Sequence, residues 1–211
     1  MWGLLHSILL LICSMEAVSD IGVIDGDTLD TSLGRVRLLG INAPERGERC
    51  YSESKQAIET LLTGEISLER DLVDKDKYNR FLRHVHSDTW INLEMVRTGM
   101  AKSYCIAPNL VYCNQLANAQ TSAMNAGVGC LWSPSGNRCI RILDVGDQEI
   151  VVKNYCSSTE SLEGLYVESD GRQREYFSGE LCAGCEEFLS LNIGRFAMLF
   201  DEWGFIDFRA S

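Results

Sequence analysis

The segment from residue 25 to residue 45 constrains the fold of this 211-residue chain more than any other. An Asp-Gly-Asp sequence at its start predicts a tight turn between two short strands, 21–25 and 28–31. A third strand is predicted over 35–41, and Pro44 ends it because proline offers no N–H group to a sheet. Acidic, amide and guanidinium side chains are therefore expected together at the ends of neighbouring strands.

These side chains suit metal-assisted hydrolysis of a phosphodiester bond. A hard cation prefers oxygen ligands, which Asp27 and Asn42 offer. Arg37 offers a guanidinium that binds phosphate oxygens, and Glu45 offers a carboxylate that takes a proton from water. Taken alone, each residue also fits a structural role in a turn or on the surface, so the hypothesis depends on their occurring together.

Five segments in order resemble the staphylococcal-nuclease-like (thermonuclease) family. They are 25–28 (DGDT), 37–45 (RLLGINAPE), 76–80 (DKYNR), 92–102 (NLEMVRTGMAK) and 129–132 (GCLW). The resemblance implies an OB-fold over residues 20–132, a five-stranded barrel with helices, whose groove suits nucleic-acid strands. It also implies an endonuclease that uses Ca²⁺.

The resemblance implies roles for nine residues. The metal ligands would be Asp27, Asn42 and the carbonyl of Ala43; the catalytic residues would be Arg37, Glu45 and Arg80; and the substrate-binding residues would be Lys77, Tyr78 and Tyr104. Asn42 departs from the family, in which this ligand is often Asp, so a weaker affinity for the cation is expected. A plain turn residue before Pro44 is the alternative role for Asn42.

Helices and further strands are predicted between these segments. Ser52 is expected to cap a helix that Gly64 ends, and Asn92 to cap a short helix that ends at Gly99. A last helix is expected to bury one face, formed by Leu116, Ala119, Gln120, Ala123 and Met124. Strands are predicted over 66–71, 80–86 and 101–106. His84 and His86 would share one strand face, either as metal ligands or, as we favour, on an exposed face.

The first 19 residues are predicted to be an export signal. Their apolar run, 4–13, is too short to span a bilayer, and small residues precede Asp20 at the expected cleavage point. Eight cysteines follow, an even number typical of disulfides in an exported protein, and their pairing stays open. The Cys182 and Cys185 pair also resembles a zinc or redox motif, but disulfides are favoured. We expect a secreted or extracytoplasmic (cell-envelope) monomer without a membrane span after cleavage.

Residues 133–138 are predicted to be a linker, and 139–211 a separate β domain. Short strands separated by turns are expected there, which is typical of a small immunoglobulin-like β-sandwich. The stretches 149–154 (EIVVKN), 162–171 (LEGLYVESDG) and 199–208 (LFDEWGFIDF) resemble a lamin-tail domain. This domain would bind a surface or a protein partner. The whole chain is thus expected to be mainly β with some α.

The formal net charge is −11, which is unusual for a protein that binds a polyanion. Basic residues nevertheless gather in the first domain: Arg35, Arg37, Arg46, Arg49, Lys75, Lys77, Arg80 and Arg83. We therefore expect an exported, calcium-dependent nuclease that cuts DNA, with RNA as a further candidate substrate, and has low sequence specificity. The alternatives are a non-catalytic nucleic-acid-binding OB module, and a surface adhesion protein led by its C-terminal domain.

Overall fold

The computed structural model describes residues 15–134, 139–146, 148–169, 174–190, 196–201 and 204–210. The chain divides into two compact units, Met1–Trp132 and Ser133–Ser211. Most of the predicted export signal, 1–14, and most of the predicted linker, 135–138, lie outside the described residues.

The first unit is built on a six-stranded sheet in the order β1-β6-β7-β4-β3-β2. These strands are β1 Met15–Val18, β2 Gly22–Asp25, β3 Thr28–Thr31, β4 Gly34–Leu38, β6 Ile66–Lys75 and β7 Phe81–His86. Neighbours run antiparallel except β4 and β7, which are parallel. A separate two-stranded sheet pairs β5, Ile41–Asn42, with β8, Lys102–Ser103. The predicted strand 35–41 is therefore divided in two, and the predicted strand 101–106 shortens to β8.

Four helices lie in the described part of this unit: α1 Tyr51–Leu61, α2 Ile91–Arg97, α3 Cys113–Ala126 and α4 Gly129–Trp132. Two predicted N-caps were wrong. The residue before α1 is Cys50, which has φ 70° and no side-chain cap, so Ser52 lies inside the helix. The cap of α2 is Trp90, and Asn92 is buried within the helix. Helix α3 buries Leu116, Gln120, Ala123 and Met124, largely the face that the pattern predicted.

The core of this unit joins the sheet to the helices. Its fully or almost fully buried side chains come from β3, β4, β6 and β7 and from α1, α2 and α3: Leu29, Val36, Leu38, Leu68, Val85, Ile58, Ile91, Met95 and Leu116. The Asn92 side chain crosses this core. Its Nδ2 donates to the Leu39 carbonyl at 2.8 Å, and its Oδ1 accepts from the Val85 N–H at 2.8 Å. This buried amide links the start of α2 to β7 and to the turn after β4, which explains why it does not cap the helix.

Strand β1 lies within the predicted export signal. It pairs antiparallel with β6 at the edge of the sheet, from Met15 opposite Glu69 to Val18 opposite Ile66. Three of its four side chains are exposed, so the pairing depends mainly on backbone hydrogen bonds. Cleavage before Asp20 would remove this strand from the sheet.

The second unit is all β within the described residues. One sheet has the order β15-β10-β9, a second has the order β13-β12-β16-β17, and β11 pairs with β14. The strands are β9 Ile140–Val145, β10 Glu149–Asn154, β11 Glu160–Ser161, β12 Tyr166–Ser169, β13 Arg174–Tyr176, β14 Glu180–Leu181, β15 Glu186–Ser190, β16 Phe196–Asp201 and β17 Gly204–Ala210. Ile142 and Val152 of the first large sheet share one core with Val167 and Leu199 of the second. The unit is therefore a β domain, as expected; its assignment to the immunoglobulin-like type stays a prediction.

Four disulfides pair the eight cysteines beyond the predicted signal. The first unit contains Cys50–Cys130 and Cys105–Cys113, and the second contains Cys139–Cys156 and Cys182–Cys185. Each bond thus stays within one unit. In the part of the chain that is described, no helix combines the length and apolar character needed to cross a membrane.

Candidate active site

The turn between β2 and β3 places Asp27 in a buried position. The Asp27 N–H donates to the Asp25 carboxylate at 3.2 Å, which closes the turn. A Cβ atom on Gly26 would lie 2.0 Å from Ser54 Oγ and 2.7 Å from Ala43 Cβ. Only glycine therefore lets the turn pack this closely against α1 and the Ala43 segment, and Asp27 beside it is only 4% exposed.

The Asp27 carboxylate is fixed by three partners. Its Oδ2 accepts from the Ala43 N–H at 2.7 Å and contacts Arg37 Nη2 at 3.0 Å, while its Oδ1 accepts from the Thr28 hydroxyl at 3.1 Å. Burial raises the pKa of Asp27, and the Arg37 charge and the Ala43 hydrogen bond oppose that rise. The side chain is therefore held rigidly as an oxygen donor.

Arg37 brings the predicted ligands together. Thr28 of β3 pairs with Arg37 of β4, which sets the guanidinium beside Asp27. Its Nη1 donates to the Leu38 carbonyl at 2.6 Å, and its Nη2 donates to Asn42 Oδ1 at 3.2 Å. One nitrogen thus contacts both side chains that were predicted to hold a cation.

A second group of predicted residues lies in the turn before β7. Asp76 organises it: Oδ1 accepts from the N–H groups of Tyr78 and Arg80, and Oδ2 accepts from Arg80 Nε at 2.7 Å. Partial burial of Asp76 would raise its pKa, but the hydrogen bonds from Arg80 and Tyr78 outweigh it and hold the pKa below its usual value. Sequence reasoning gave Asp76 no role, although it begins the matched segment 76–80.

The turn presents an aromatic ring between two cations. Tyr78 is 68% exposed. Lys77 Nζ lies 5.0 Å from the centre of its ring, and the Arg80 guanidinium carbon lies 5.6 Å from it. Such a group offers stacking for a base beside positive charge for phosphates.

The Arg37 network and the 76–80 turn are connected through two paired strands. β4 and β7 pair in parallel, with Val36 opposite Phe81 and Arg37 opposite Leu82. Arg80 directly precedes β7 and lies two residues before Leu82, so it follows the 76–80 turn into the strand that pairs with the one carrying Arg37. The two networks nevertheless have separate partners, Asp27 and Asn42 for one arginine and Asp76 for the other.

Backbone hydrogen bonds place the remaining predicted residues. Glu45 follows Ala43 by two positions; its N–H donates to Glu48 Oε2 at 2.9 Å, and its side chain is exposed. Tyr104 follows β8, and its N–H donates to the Gly40 carbonyl at 2.7 Å. Both residues therefore lie on segments that adjoin the Asp27 network.

Comparison with known proteins identifies the family. The family model described as staphylococcal nuclease homologue matches residues 35–134. A protein of Haemophilus influenzae (strain ATCC 51907 / DSM 11121 / KW20 / Rd), described as an uncharacterized endonuclease, is 35% identical over 148 residues, which cover 62% of this chain and 78% of that protein.

The chain belongs to the staphylococcal nuclease homologue family. Its first unit accordingly has the OB-fold of the family, as the sequence predicted. The match begins at Arg35 and so contains Arg37, Asn42 and Arg80, while Asp27 precedes it. Membership supports nuclease activity; the roles of individual residues stay predictions that depend on the geometry described above.

The residues around Asp27 fit the cation expected of a staphylococcal nuclease homologue. The candidate donors are all oxygens, namely the Asp27 carboxylate, the Asn42 amide and the Ala43 carbonyl, which is the chemistry that Ca²⁺ prefers. The positive Arg37 Nη2 already contacts the two side-chain oxygens. A single carboxylate in this set makes the site less negative than one with two aspartates.

His84 and His86 do not form the exposed strand face that the sequence favoured. His84 is 3% exposed, and its ring packs edge-on against Tyr112 and Trp90, with centroid separations of 4.7 and 5.5 Å. His86 Nε2 lies 2.8 Å from Glu69 Oε2. Within the described residues no group of three or more His, Cys, Asp or Glu side chains is placed to bind a metal ion. His84 is therefore part of the buried packing of the first unit, and His86 pairs with Glu69.

Proposed function

We propose that this member of the staphylococcal nuclease homologue family is a calcium-dependent endonuclease with low sequence specificity that cuts DNA, with RNA as a further candidate substrate. The observation that carries the proposal is the buried network in which Arg37 links Asp27 to Asn42. It supports the proposal because it gathers an oxygen donor set and a phosphate-binding guanidinium within hydrogen-bond distance. Family membership supports the reaction class.

Each residue of the candidate site has its own proposed role in the reaction. Arg37 and Arg80 bind the scissile phosphate and stabilise the charge that develops on its oxygens. Glu45 takes a proton from the attacking water, and Asp76 positions Arg80 through two hydrogen bonds. Asp27, Asn42 and the Ala43 carbonyl would hold Ca²⁺, which would supply further positive charge beside the phosphate.

The substrate class follows from the exposed turn 76–80. Lys77 contacts a phosphate that flanks the scissile one, and the Tyr78 ring stacks on a base. Stacking accepts every base because each has a π-face. Tyr104 adds a second contact to the nucleotide. Together these contacts favour low sequence specificity.

The decisive experiment is cleavage of plasmid and single-stranded DNA by the oxidised full chain, with Ca²⁺ and with chelator. Glu45→Gln and Arg80→Lys are compared with the wild type, and Glu53→Gln serves as the control because Glu53 is exposed on α1. We expect Ca²⁺-dependent cutting that both site variants reduce at least a hundredfold and the control leaves unchanged.

One observation favours a second candidate function. Asn42 replaces a charged ligand by a neutral one, which favours a nucleic-acid-binding OB module that has lost turnover. DNA binding without cutting under any divalent cation would support that module and overturn the nuclease proposal. The adhesion alternative gains no support from a particular contact in the described residues.

The proposal that the protein is exported rests on its cysteines. Four disulfides among the eight cysteines favour an oxidising compartment, either secreted or at the cell envelope. We propose cleavage before Asp20, a monomer, and a second unit that binds a surface or a protein partner. Sequencing the N-terminus of the protein from the native cell and counting its free thiols tests this part; an intact Met1 together with free thiols would overturn it.

A further inference from the structure

A groove in the first unit is separate from the active site. It lies where the link between β1 and β2 passes the end of α1 and the start of β6, and its volume is about 590 Å³. Its lining residues are Val18, Ser19, Asp20, Ile21, Val23, Glu59, Leu62, Gly64, Glu65 and Ile66. None of them belongs to the Asp27 network or to the turn 76–80.

Half of the residues that line the groove are aliphatic, and we call these five its floor: Val18, Ile21, Val23, Leu62 and Ile66. All five belong to the core or pack against its edge, and all but Ile66 are only partly buried. The floor therefore leaves aliphatic surface in contact with water, and covering that surface would be favourable.

The rim of the groove is acidic. Asp20, Glu59 and Glu65 are exposed, and Asp88 adds a carboxylate beside Gly64, with its Oδ1 3.4 Å from where a Gly64 Cβ would lie. Among the described residues that line the groove there is no Lys, Arg or His. Like charges around one opening raise the negative potential inside it.

This combination restricts the occupant. A nucleic acid and an anionic membrane are both repelled by the rim. A metal ion alone would leave the aliphatic floor uncovered. What remains is a ligand that carries positive charge next to aliphatic surface.

We propose that this groove docks a cationic peptide segment of another protein. The aliphatic side chains of the segment cover the floor, and its Lys or Arg side chains reach the rim carboxylates. Eight of the ten lining residues, among them all three carboxylates and four of the five aliphatic side chains, lie after the proposed cleavage point and stay in the exported chain. This inference goes beyond the proposed nuclease function and does not depend on it.

The test measures binding of a fluorescein-labelled hexapeptide, Lys-Leu-Lys-Val-Lys-Lys, to the oxidised full chain by fluorescence anisotropy. Glu59→Gln with Glu65→Gln removes two rim charges. Glu163→Gln with Glu180→Gln is the matched control, because it removes the same charge from exposed positions of the second unit. A peptide with Ser in place of Leu and Val tests the floor, and spermine tests charge alone.

We expect the rim variant to weaken peptide binding about tenfold and the control variant to leave it unchanged. The Ser-substituted peptide and spermine should each bind at least tenfold more weakly than the hexapeptide. Equal loss in the two protein variants would show attraction to net charge alone and would overturn the proposal. Spermine binding as tightly as the peptide, or no peptide binding, would also overturn it. DNA cleavage by the rim variant is measured in parallel, so this result is independent of the nuclease test.

Discussion

Asp27 and Asn42 contact the same atom, Nη2 of Arg37, at 3.0 and 3.2 Å. These two side chains are also the predicted ligands of the cation, so the guanidinium and the cation would bind the same side-chain oxygens. Because Asn42 is neutral, Asp27 supplies the only negative charge in the set. The affinity for Ca²⁺ should therefore depend strongly on the residue at position 42.

Asn42→Asp should raise the affinity for Ca²⁺ about tenfold, which corresponds to about 1.4 kcal/mol. The added carboxylate provides a charged ligand and a second partner for Arg37. Isothermal titration calorimetry without nucleic acid measures the effect. Asn118→Asp is the control, because it makes the same change at an exposed position of α3. An equal gain in both variants would mean that net charge, and not the site, governs the affinity.

Arg37→Lys should lower kcat about 10²–10³-fold. Lysine keeps the positive charge beside Asp27 but loses the planar fork that binds two phosphate oxygens. Arg35→Lys is the matched control, since Arg35 lies two residues earlier on β4 with a side chain that is 56% exposed and contacts Asp30 at 3.3 Å. Steady-state cleavage kinetics and thermal melting check both variants. A similar loss in the two would contradict the role of Arg37.

Short-range pattern predicted much of the site. The turn that contains Asp27, the strand that carries Arg37 and the segment 76–80 are each encoded within a few residues, so their types and order could be predicted. The shared contact of Asp27 and Asn42 could not, because it joins the β2–β3 turn, β4 and β5 through side chains. Asp76 was missed for a simpler reason: its role is to hold Arg80, and a positioning carboxylate has no signature of its own.

Errors arose where distant segments meet. Ser52 is a good cap by composition, but the start of α1 is set by Cys50, whose disulfide partner Cys130 is 80 residues away. His84 alternates with His86 along β7, which suggested one exposed face; the Trp90 and Tyr112 rings cover it instead. Both outcomes depend on tertiary packing, which local periodicity does not contain.

His84 should make the first unit sensitive to acid. Burial lowers its pKa from 6.5 to about 3, with a smaller contribution from His86. Above pH 6.5 both the folded and the unfolded states are neutral at this residue, so it has no effect. As the pH falls from 6.5 towards 3, only the unfolded state takes up the proton, and stability is lost. At pH 4 the loss should be about 3 kcal/mol.

His84→Phe tests this sensitivity. Phenylalanine keeps a ring against Trp90 and Tyr112 but does not titrate. Urea denaturation at pH 7, 5 and 4 should show a smaller fall in unfolding free energy for the variant than for the wild type. Parallel curves for the two proteins would show that other groups cause the acid sensitivity.

The Cys50–Cys130 disulfide should stabilise the first unit more than Cys105–Cys113 does. The first bond closes a sequence separation of 80 residues and the second a separation of 8. Each bond lowers the chain entropy of the unfolded state. The resulting gain in unfolding free energy is about 4.5 kcal/mol for Cys50–Cys130 and about 2.5 kcal/mol for Cys105–Cys113. Double substitution by alanine, Cys50→Ala with Cys130→Ala against Cys105→Ala with Cys113→Ala, compares them. Urea denaturation followed by tryptophan fluorescence gives the two losses, and a larger loss for the short loop would contradict the entropic explanation.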